Sequence, residues 1–325
     1  MTRPVSRALG WIAAVALALA VGCGGSDGST SHPRPSWDPG DPGLAARLDE
    51  ALRLWAADHQ VIGAAATVIT PGWLEWSGAV GVQDTQTKEP FTVDTVGRIA
   101  SATKPFTASV IFQLRDEGRL SLDTTLGHYA QPNFIALGLI IEVITGEPLD
   151  QVYRERVLGP QRLDGTHLPT PGEPLDPAGY TNVFGLLPTR IPGSALVQSA
   201  NSLNSSAWSA GGLISTSHDL ATFLISLLEG KLYSAQSLAD AQDWLPTVPE
   251  DPRQGDYGMA LFRSRSGEFT YIGHDGALPG AMSVMKYVPE LDVYVGAVAN
   301  CDLLNGEKPN LQQRVAAALR DEPQP

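Results

Sequence analysis

The chain has 325 residues, of which 43% are hydrophobic and 18% are charged, a composition that suits a globular protein with one large core or two lobes. Its formal net charge of -13 at pH 7 argues against nucleic acid or an anionic membrane surface as a partner. The six histidines are scattered, and no His/Cys/Asp cluster has metal-ligand spacing, so we expect neither a metal nor a cofactor.

The N-terminus has the pattern of an export signal. Arg3 and Arg7 precede an apolar run over residues 8–22, which is shorter than the roughly 20 residues of a spanning helix. Small residues before Cys23 resemble a bacterial lipoprotein cleavage box, which implies a signal peptide over residues 1–23 and a lipid on Cys23. Plain secretion or an uncleaved anchor is the alternative. With Cys23 lipidated, Cys301 would have no disulfide partner.

A tether, a helix and a strand pair are predicted next. Residues 24–43 are rich in Gly, Ser, Asp and Pro, which is typical of a flexible tether. Apolar residues at helical spacing predict an amphipathic helix over 44–59. Residues 64–70 and 74–81 are predicted strands, joined by a turn at Pro71-Gly72.

The stretch over residues 95–107 combines a serine and a lysine in a chemically useful pattern. A strand is predicted to end near Ile99, and a helical pattern of apolar residues follows from Phe106, so Ser101 falls where a strand turns into a helix. A hydroxyl there is surrounded by free backbone N–H groups and the positive end of the helix dipole. Lys104 follows at i+3 on the same face, where an amine can take the serine proton.

A second Ser-x-x-Lys pair, Ser283 and Lys286, is predicted to have no catalytic role. It lies in an alternating run that is typical of a strand. Residues i and i+3 of a strand point to opposite faces, so this hydroxyl and this amine cannot meet.

The remaining elements define the fold class. A helix is predicted over 133–145 and closed by Gly146, loop over 159–206, and a helix from about 220 with Ser217 or Asp219 as its N-cap. Strands at 269–273, 282–288 and 293–299 precede a helix over 311–319. We therefore predict an α/β (α+β) fold within residues 44–325. One antiparallel sheet, built from 44–100 and 257–325 with flanking terminal helices, would carry an inserted, mostly helical lobe over 101–256.

Four stretches in this order resemble the serine β-lactamase and penicillin-binding-protein-like family, closest to its branch of class C β-lactamases, DD-peptidases and related esterases. They cover residues 98–123, 137–146, 209–216 and 273–280. The resemblance implies attack of Ser101 on a carbonyl, an acyl-enzyme, and hydrolysis by water. It also implies Lys104 as the base, which requires its pKa to fall from about 10.4 towards roughly 7–8.

The resemblance carries further roles to individual residues. His274, in His274-Asp275-Gly276, matches the histidine form of the family's third motif on an inner strand, although a histidine in an ordinary strand-end turn is the alternative. Gly276 would let the substrate backbone approach. The N–H of Ala277 would join that of Ser101 in an oxyanion hole, where one donor is worth about 10²–10³ in rate.

The region after residue 123 departs from the family pattern. The family has a Tyr-x-Asn motif a few dozen residues later, whereas Tyr129 and Gln131 follow here almost at once. Counting back from Leu137, Tyr129 is the family's proton-shuttling tyrosine and Gln131 replaces its asparagine. Counting forward from Asp123, Tyr129 is a non-catalytic tyrosine. The shortened lobe leaves either a more open site or a broken one.

Two kinds of function remain open at this stage. The first is a cell-envelope serine hydrolase acting on a small molecule or a peptidoglycan-type peptide, with the membrane contacted only through the lipid anchor. The second is a catalytically impaired member of the same fold that acts as a binding or scaffold lipoprotein. A Ser-His-Asp esterase is weaker, since the one Gly-x-Ser-x-Gly sequence, residues 24–28, lies in the predicted tether.

Overall fold

The computed structural model describes residues 32–122, 130–170, 173, 179–181, 189–190, 206–246, 255–301 and 308–325. Pro33–Pro325 form one compact unit. The predicted signal peptide, Cys23 and Tyr129 lie outside the described residues.

The described helices cluster in the middle of the chain and at its two ends. Their bounds are α1 Leu44–Asp58, α2 Lys104–Asp116, α3 Gln131–Thr145, α4 Leu149–Tyr153, α5 over 206–211, α6 Ser217–Leu228, α7 Ala235–Ala241 and α8 Leu311–Leu319. The strands are β1 Gly63–Thr70, β2 Leu74–Gly81, β3 Gly97–Arg98, β4 Tyr180–Thr181, β5 Thr189–Arg190, β6 Ile214–Ser215, β7 Leu245–Pro246, β8 Asp256–Tyr257, β9 Phe262–Ser266, β10 Phe269–Gly273, β11 Gly276–Leu278, β12 Ala281–Val288 and β13 Val293–Ala299.

A nine-stranded antiparallel sheet joins the two ends of the chain. Its order is β2-β1-β13-β12-β10-β9-β8-β7, and β11 pairs with β12 beside this path. Where the two ends of the chain meet, Ala297 of β13 lies opposite Ala66 of β1 on one side and opposite Val284 of β12 on the other. Two small sheets, β3-β6 and β4-β5, lie outside it.

Both faces of the sheet are covered, which explains the nearly continuous hydrophobic runs of β1, β12 and β13. Side chains alternate between faces along β13. Val295 and Ala297 belong to the core shared with α1 and α8, whereas Tyr294 and Val298 belong to the core shared with α2 and α6. The second core fixes α2, the helix of the Ser-x-x-Lys stretch, against the sheet.

The predicted fold is confirmed: the sheet is antiparallel and built from both ends, and the helices of the lobe are inserted between them. Helix α3 ends as expected at Gly146, whose φ of 76° is readily adopted only by glycine. Three short strands that follow residue 255, β8, β9 and β11, were not predicted. They are too short or too polar for a period of two to be visible.

One capping prediction was wrong. The N-cap of α6 is Thr216 rather than Ser217 or Asp219, because Thr216 has extended backbone and its side chain accepts the N–H of Asp219 at 3.1 Å. Asp219 instead accepts hydrogen bonds from the N–H of Gly165 and the hydroxyl of Thr166. These two bonds hold residues 165–166 to the first turn of α6.

Within the described ranges, no single helix is long and apolar enough to cross a membrane; α3 together with residues 149–158 meets the length and composition test only as a bent pair. The same ranges hold no group of three or more His, Cys, Asp or Glu side chains that could bind a metal ion.

Candidate active site

Ser101 lies in a 3₁₀ turn, Ala100–Thr103, that connects β3 to α2. The sequence placed it directly at the start of an α-helix, so the tighter turn is a correction of detail. In a 3₁₀ turn, residues i and i+3 eclipse each other, which brings Lys104 over Ser101. Ala100 has a φ of 48°, a left-handed conformation that a residue with a Cβ adopts at a cost.

The unusual turn is fixed by hydrogen bonds to the segment before α6. The N–H of Ile99 donates to the carbonyl of Leu213 at 3.1 Å, and the N–H of Leu213 donates to the Thr103 hydroxyl at the same distance. Gly97 and Arg98 pair with Ser215 and Ile214 across β3 and β6. A backbone held from both sides can keep the strained residue in place.

Lys104 is the first residue of α2 and its side chain is fully buried. Its Nζ donates hydrogen bonds to Ser101 Oγ at 3.0 Å, to Gln131 Oε1 at 2.5 Å and to the carbonyl of Ala210 at 2.7 Å. The ring of Phe134 lies 5.5 Å from Nζ. The predicted meeting of this amine and this hydroxyl is therefore present.

Burial lowers the pKa of Lys104 from its ordinary 10.5 to about 7. Near neutral pH about half of the molecules then carry a neutral amine. A neutral amine has two N–H bonds, enough for Gln131 and Ala210, and a lone pair that can face the Ser101 hydroxyl. The three contacts thus orient the amine as well as bury it.

Of the two residues that the sequence singled out after residue 123, only Gln131 is described. It is the first residue of α3, and its amide oxygen contacts Lys104 directly. Tyr129, the predicted proton shuttle, lies outside the described residues, so its role stays a prediction.

Strand β11 packs against residues 99–103, which we call the nucleophile turn after the predicted role of Ser101. A Cβ on Gly276 would lie 1.9 Å from the carbonyl oxygen of Ile99, so only glycine fits this contact. Ala277, the next residue, is exposed. The predicted oxyanion strand is therefore beside Ser101, while the donor role of the Ala277 N–H remains a prediction.

His274 precedes β11, and its side chain is buried rather than open to solvent. The ring lies edge-on to Phe262, with centroids 4.9 Å apart. Nδ1 is 2.6 Å from the carbonyl oxygen of Asp275, and because a carbonyl only accepts, Nδ1 carries the proton. Burial lowers the pKa of His274 to about 3, with a smaller contribution from the charge of Lys104, so the ring is neutral at physiological pH.

The second Ser-x-x-Lys pair has partners on two faces of β12. The Ser283 hydroxyl donates to the carbonyl of Ile99 at 2.7 Å, and Lys286 Nζ lies 3.0 Å from Asp275 Oδ2. The prediction that this hydroxyl and this amine do not face each other agrees with these separate contacts. The two contacts reach residues next to the site, Ile99 and Asp275. Local sequence patterns do not reveal this proximity, because it depends on the register of β11 on β12.

A family model named Beta-lactamase matches the chain over residues 44–134 and 127–320. The two matches overlap at residues 127–134, the stretch in which Tyr129 fits the family pattern in two registers. The esterase EstB of Burkholderia gladioli is 36% identical over 80 residues. That match covers 25% of this chain and 20% of the relative. Beta-lactamase-like protein 2 of Dictyostelium discoideum is 35% identical over 86 residues, which are 25% of this chain and 16% of the relative. The chain thus matches a fifth or less of either relative's length.

Solved structures share the fold at low sequence identity. D-amino acid amidase from Ochrobactrum anthropi, complexed with D-phenylalanine, has a TM-score of 0.73 and 20% identity over 86% of this chain and 99% of its own. A D-stereospecific amidohydrolase from Streptomyces has a TM-score of 0.66 and 22% identity over 85% and 98%. An octameric penicillin-binding protein homologue from Pyrococcus abyssi has a TM-score of 0.68 and 19% identity over 84% and 76%.

Proposed function

The chain belongs to the β-lactamase family of serine hydrolases, and from this premise we propose that it cleaves an amide or ester bond through an acyl-enzyme on Ser101. The observation that carries the proposal is the 3.0 Å contact between Ser101 Oγ and Lys104 Nζ, together with the burial that makes this amine a base near neutral pH.

The proposed acylation step moves one proton and exchanges one bond. Lys104 takes the Ser101 proton as Oγ bonds to the substrate carbonyl carbon. When the tetrahedral intermediate collapses, the C–N or C–O bond to the leaving group breaks, and the leaving group takes up the proton. Water then adds to the acyl-enzyme, releases the acid and returns the proton to Oγ. Tyr129 is the proposed carrier of the proton to the leaving group.

The substrate we propose is a small amide or ester, or a peptide of the peptidoglycan type. By their names, one sequence relative is an esterase, and two proteins of the same fold are a D-amino acid amidase and a D-stereospecific amidohydrolase. The segment that the sequence predicts to be shorter than in the family pattern, residues 123–129, lies outside the described residues. We also propose that the protein is exported and held at the cell envelope by lipid on Cys23.

Labelling tests the proposed nucleophile. A fluorophosphonate or a fluorescent penicillin should acylate or phosphonylate the purified protein, and peptide mapping should place the adduct on Ser101. Labelling that persists unchanged in Ser101→Ala would refute the assignment.

Turnover separates the hydrolase from a scaffold of the same fold. Hydrolysis of nitrocefin and p-nitrophenyl esters should fall at least about 10³-fold in Ser101→Ala and in Lys104→Ala. If the unmodified protein is no faster than these variants on any of the substrates, the scaffold alternative is the better description.

A further inference from the structure

The carbonyl of Ile99 lies two residues before the proposed nucleophile, Ser101. It accepts two hydrogen bonds, one from the N–H of Ala102 at 3.1 Å and one from the Ser283 hydroxyl at 2.7 Å. Ser283 and Ile99 are both buried, so water does not readily replace this contact. The carbonyl is thereby held by a hydrogen bond from inside the turn and by one from the main sheet.

The same carbonyl is also the surface against which β11 packs. Gly276 lies opposite Ser283 in the antiparallel register of β11 and β12, and a Cβ on Gly276 would meet both the Ile99 oxygen and Ser283 Oγ. Three backbone segments therefore converge on one oxygen: the nucleophile turn, β11 and β12. The Ser283 hydroxyl lies where they meet.

The turn needs such a support because it contains a strained residue. Ala100, with its φ of 48°, lies between Ile99 and Ser101. A strained conformation persists only where its surroundings over-determine it. Relaxation at Ala100 would move Ser101 relative to β11, and a shift on the order of 1 Å at a reacting group can cost about 10²-fold in rate.

We infer that Ser283 is a positioning residue: its hydrogen bond to Ile99 sets the distance between the nucleophile turn and the oxyanion strand β11. The inference rests on the proposed hydrolase function for its catalytic consequence. Its structural part, the ordering of residues 99–103, does not depend on turnover. Ser283 thus has a role in the site, although Lys286 points to the other face of β12 and contacts Asp275 instead.

The test compares Ser283→Ala with Ser109→Ala. Ser109 is an equally buried serine whose hydroxyl donates to the carbonyl of Pro105 at 2.8 Å, inside α2 and away from Ile99. Both variants lose one buried hydrogen bond to a carbonyl, so similar falls in melting temperature are expected. Only Ser283→Ala should alter the nucleophile turn.

Two readouts are measured on the intact protein. Ester hydrolysis by Ser283→Ala should show kcat lowered about 10- to 100-fold with KM within about threefold, whereas Ser109→Ala stays within about threefold in both. Hydrogen exchange of a peptide covering residues 97–104 should quicken at least about fivefold in Ser283→Ala and not in Ser109→Ala.

The outcomes are distinguishable. Unchanged exchange in Ser283→Ala overturns the positioning role whatever the kinetics, as does faster exchange with unchanged kcat. Equal losses of kcat in both variants also overturn it, because they reflect general destabilisation. If exchange quickens but the unmodified protein shows no turnover above Ser101→Ala, the proposed function fails while the positioning of the turn by Ser283 is supported.

Discussion

Lys104 illustrates how burial alone can change the chemistry of a side chain. The amine is removed from water at the start of α2, and three of its hydrogen-bond partners are oxygens without a countercharge: a hydroxyl, an amide and a backbone carbonyl. Such partners hold the group in place while doing less than a carboxylate would to stabilise its charge. The low pKa, about 7, follows from this environment.

The first prediction concerns the pH dependence of catalysis. In the proposed mechanism the neutral form of Lys104 is the base, so kcat/KM should rise with pH through an ionisation near 7 and fall about tenfold per pH unit below it. His274, with a pKa of about 3, is neutral throughout pH 5–9 and adds no second ionisation. Ester hydrolysis measured over this range checks it; a midpoint near 10 would show that Lys104 is not the desolvated base.

The second prediction concerns stability. In the folded protein Lys104 loses its proton above about pH 7, but in the unfolded chain only above its ordinary 10.5. Burial of the charged amine therefore destabilises the folded state fully below pH 7, and this destabilisation is progressively relieved up to about pH 10. Relative to Lys104→Met, the unmodified protein should gain about 1.4 kcal/mol per pH unit between pH 7.5 and 9.5.

Urea unfolding of both proteins at several pH values measures that difference. The comparison of slopes cancels the pH-independent loss of hydrogen bonds in the variant. Parallel curves over this pH range would mean that the amine is not buried to the extent described.

At the scale of elements, the site is a junction between β11, β12 and the nucleophile turn. The spacing of these elements depends on a residue without a side chain: Gly276 touches the Ile99 carbonyl where any Cβ would lie 1.9 Å from the oxygen. Because β11 is paired with β12 and the turn is hydrogen-bonded to distant segments, little room is left for adjustment.

Gly276→Ala should therefore displace β11 from Ser101 and lower kcat/KM by at least about 10²-fold. Gly40→Ala is the matched control, because a Cβ there meets nothing closer than 3.5 Å. Ester hydrolysis and thermal unfolding of both variants separate the effects. Activity within threefold of the unmodified protein in Gly276→Ala would contradict the described packing.

The ion pair between Asp275 and Lys286 ties the segment before β11 to β12. Lys286 is buried while the Asp275 side chain is half exposed, so Asp275→Asn leaves a buried charge with less compensation. We expect a loss of about 1–3 kcal/mol in the free energy of unfolding. Asp256→Asn, in the exposed pair with Arg263, should lose less than about 1 kcal/mol. Equal losses of unfolding free energy in the two variants, measured with denaturant, would show that burial of Lys286 does not make its ion pair more important than the exposed one.

At the scale of the whole molecule, the two ends of the chain are joined in one sheet, with β1 paired to β13. We predict that the segment before the compact unit carries a lipid on Cys23. Expressed in a bacterial host that processes lipoproteins, the protein should partition into the detergent phase of a cloud-point extraction, and Cys23→Ala should move to the aqueous phase.

Cys301→Ala is the control for that partition, since Cys301 is buried in the sheet core and should not affect it. If the unmodified protein is found only in the aqueous phase, the lipid anchor is wrong and plain secretion remains.

The sequence by itself determined the elements with strong periodicity and the pair of residues one helical turn apart. The helices α1 and α8 and the strands β1, β2, β10, β12 and β13 follow from local hydrophobic patterns, and the Ser101–Lys104 contact follows from i,i+3 spacing. These features depend on residues close in the chain.

Only the tertiary structure decided what surrounds that pair. Gln131 and Ala210 reach Lys104 from 27 and 106 residues away, and Ser283 reaches Ile99 across 184. Distant segments exclude water from the lysine and so lower its pKa, and hydrogen bonds from Leu213 and Ser283 reach the turn that contains the strained Ala100. Desolvation and register arise from packing between segments, which no local pattern records.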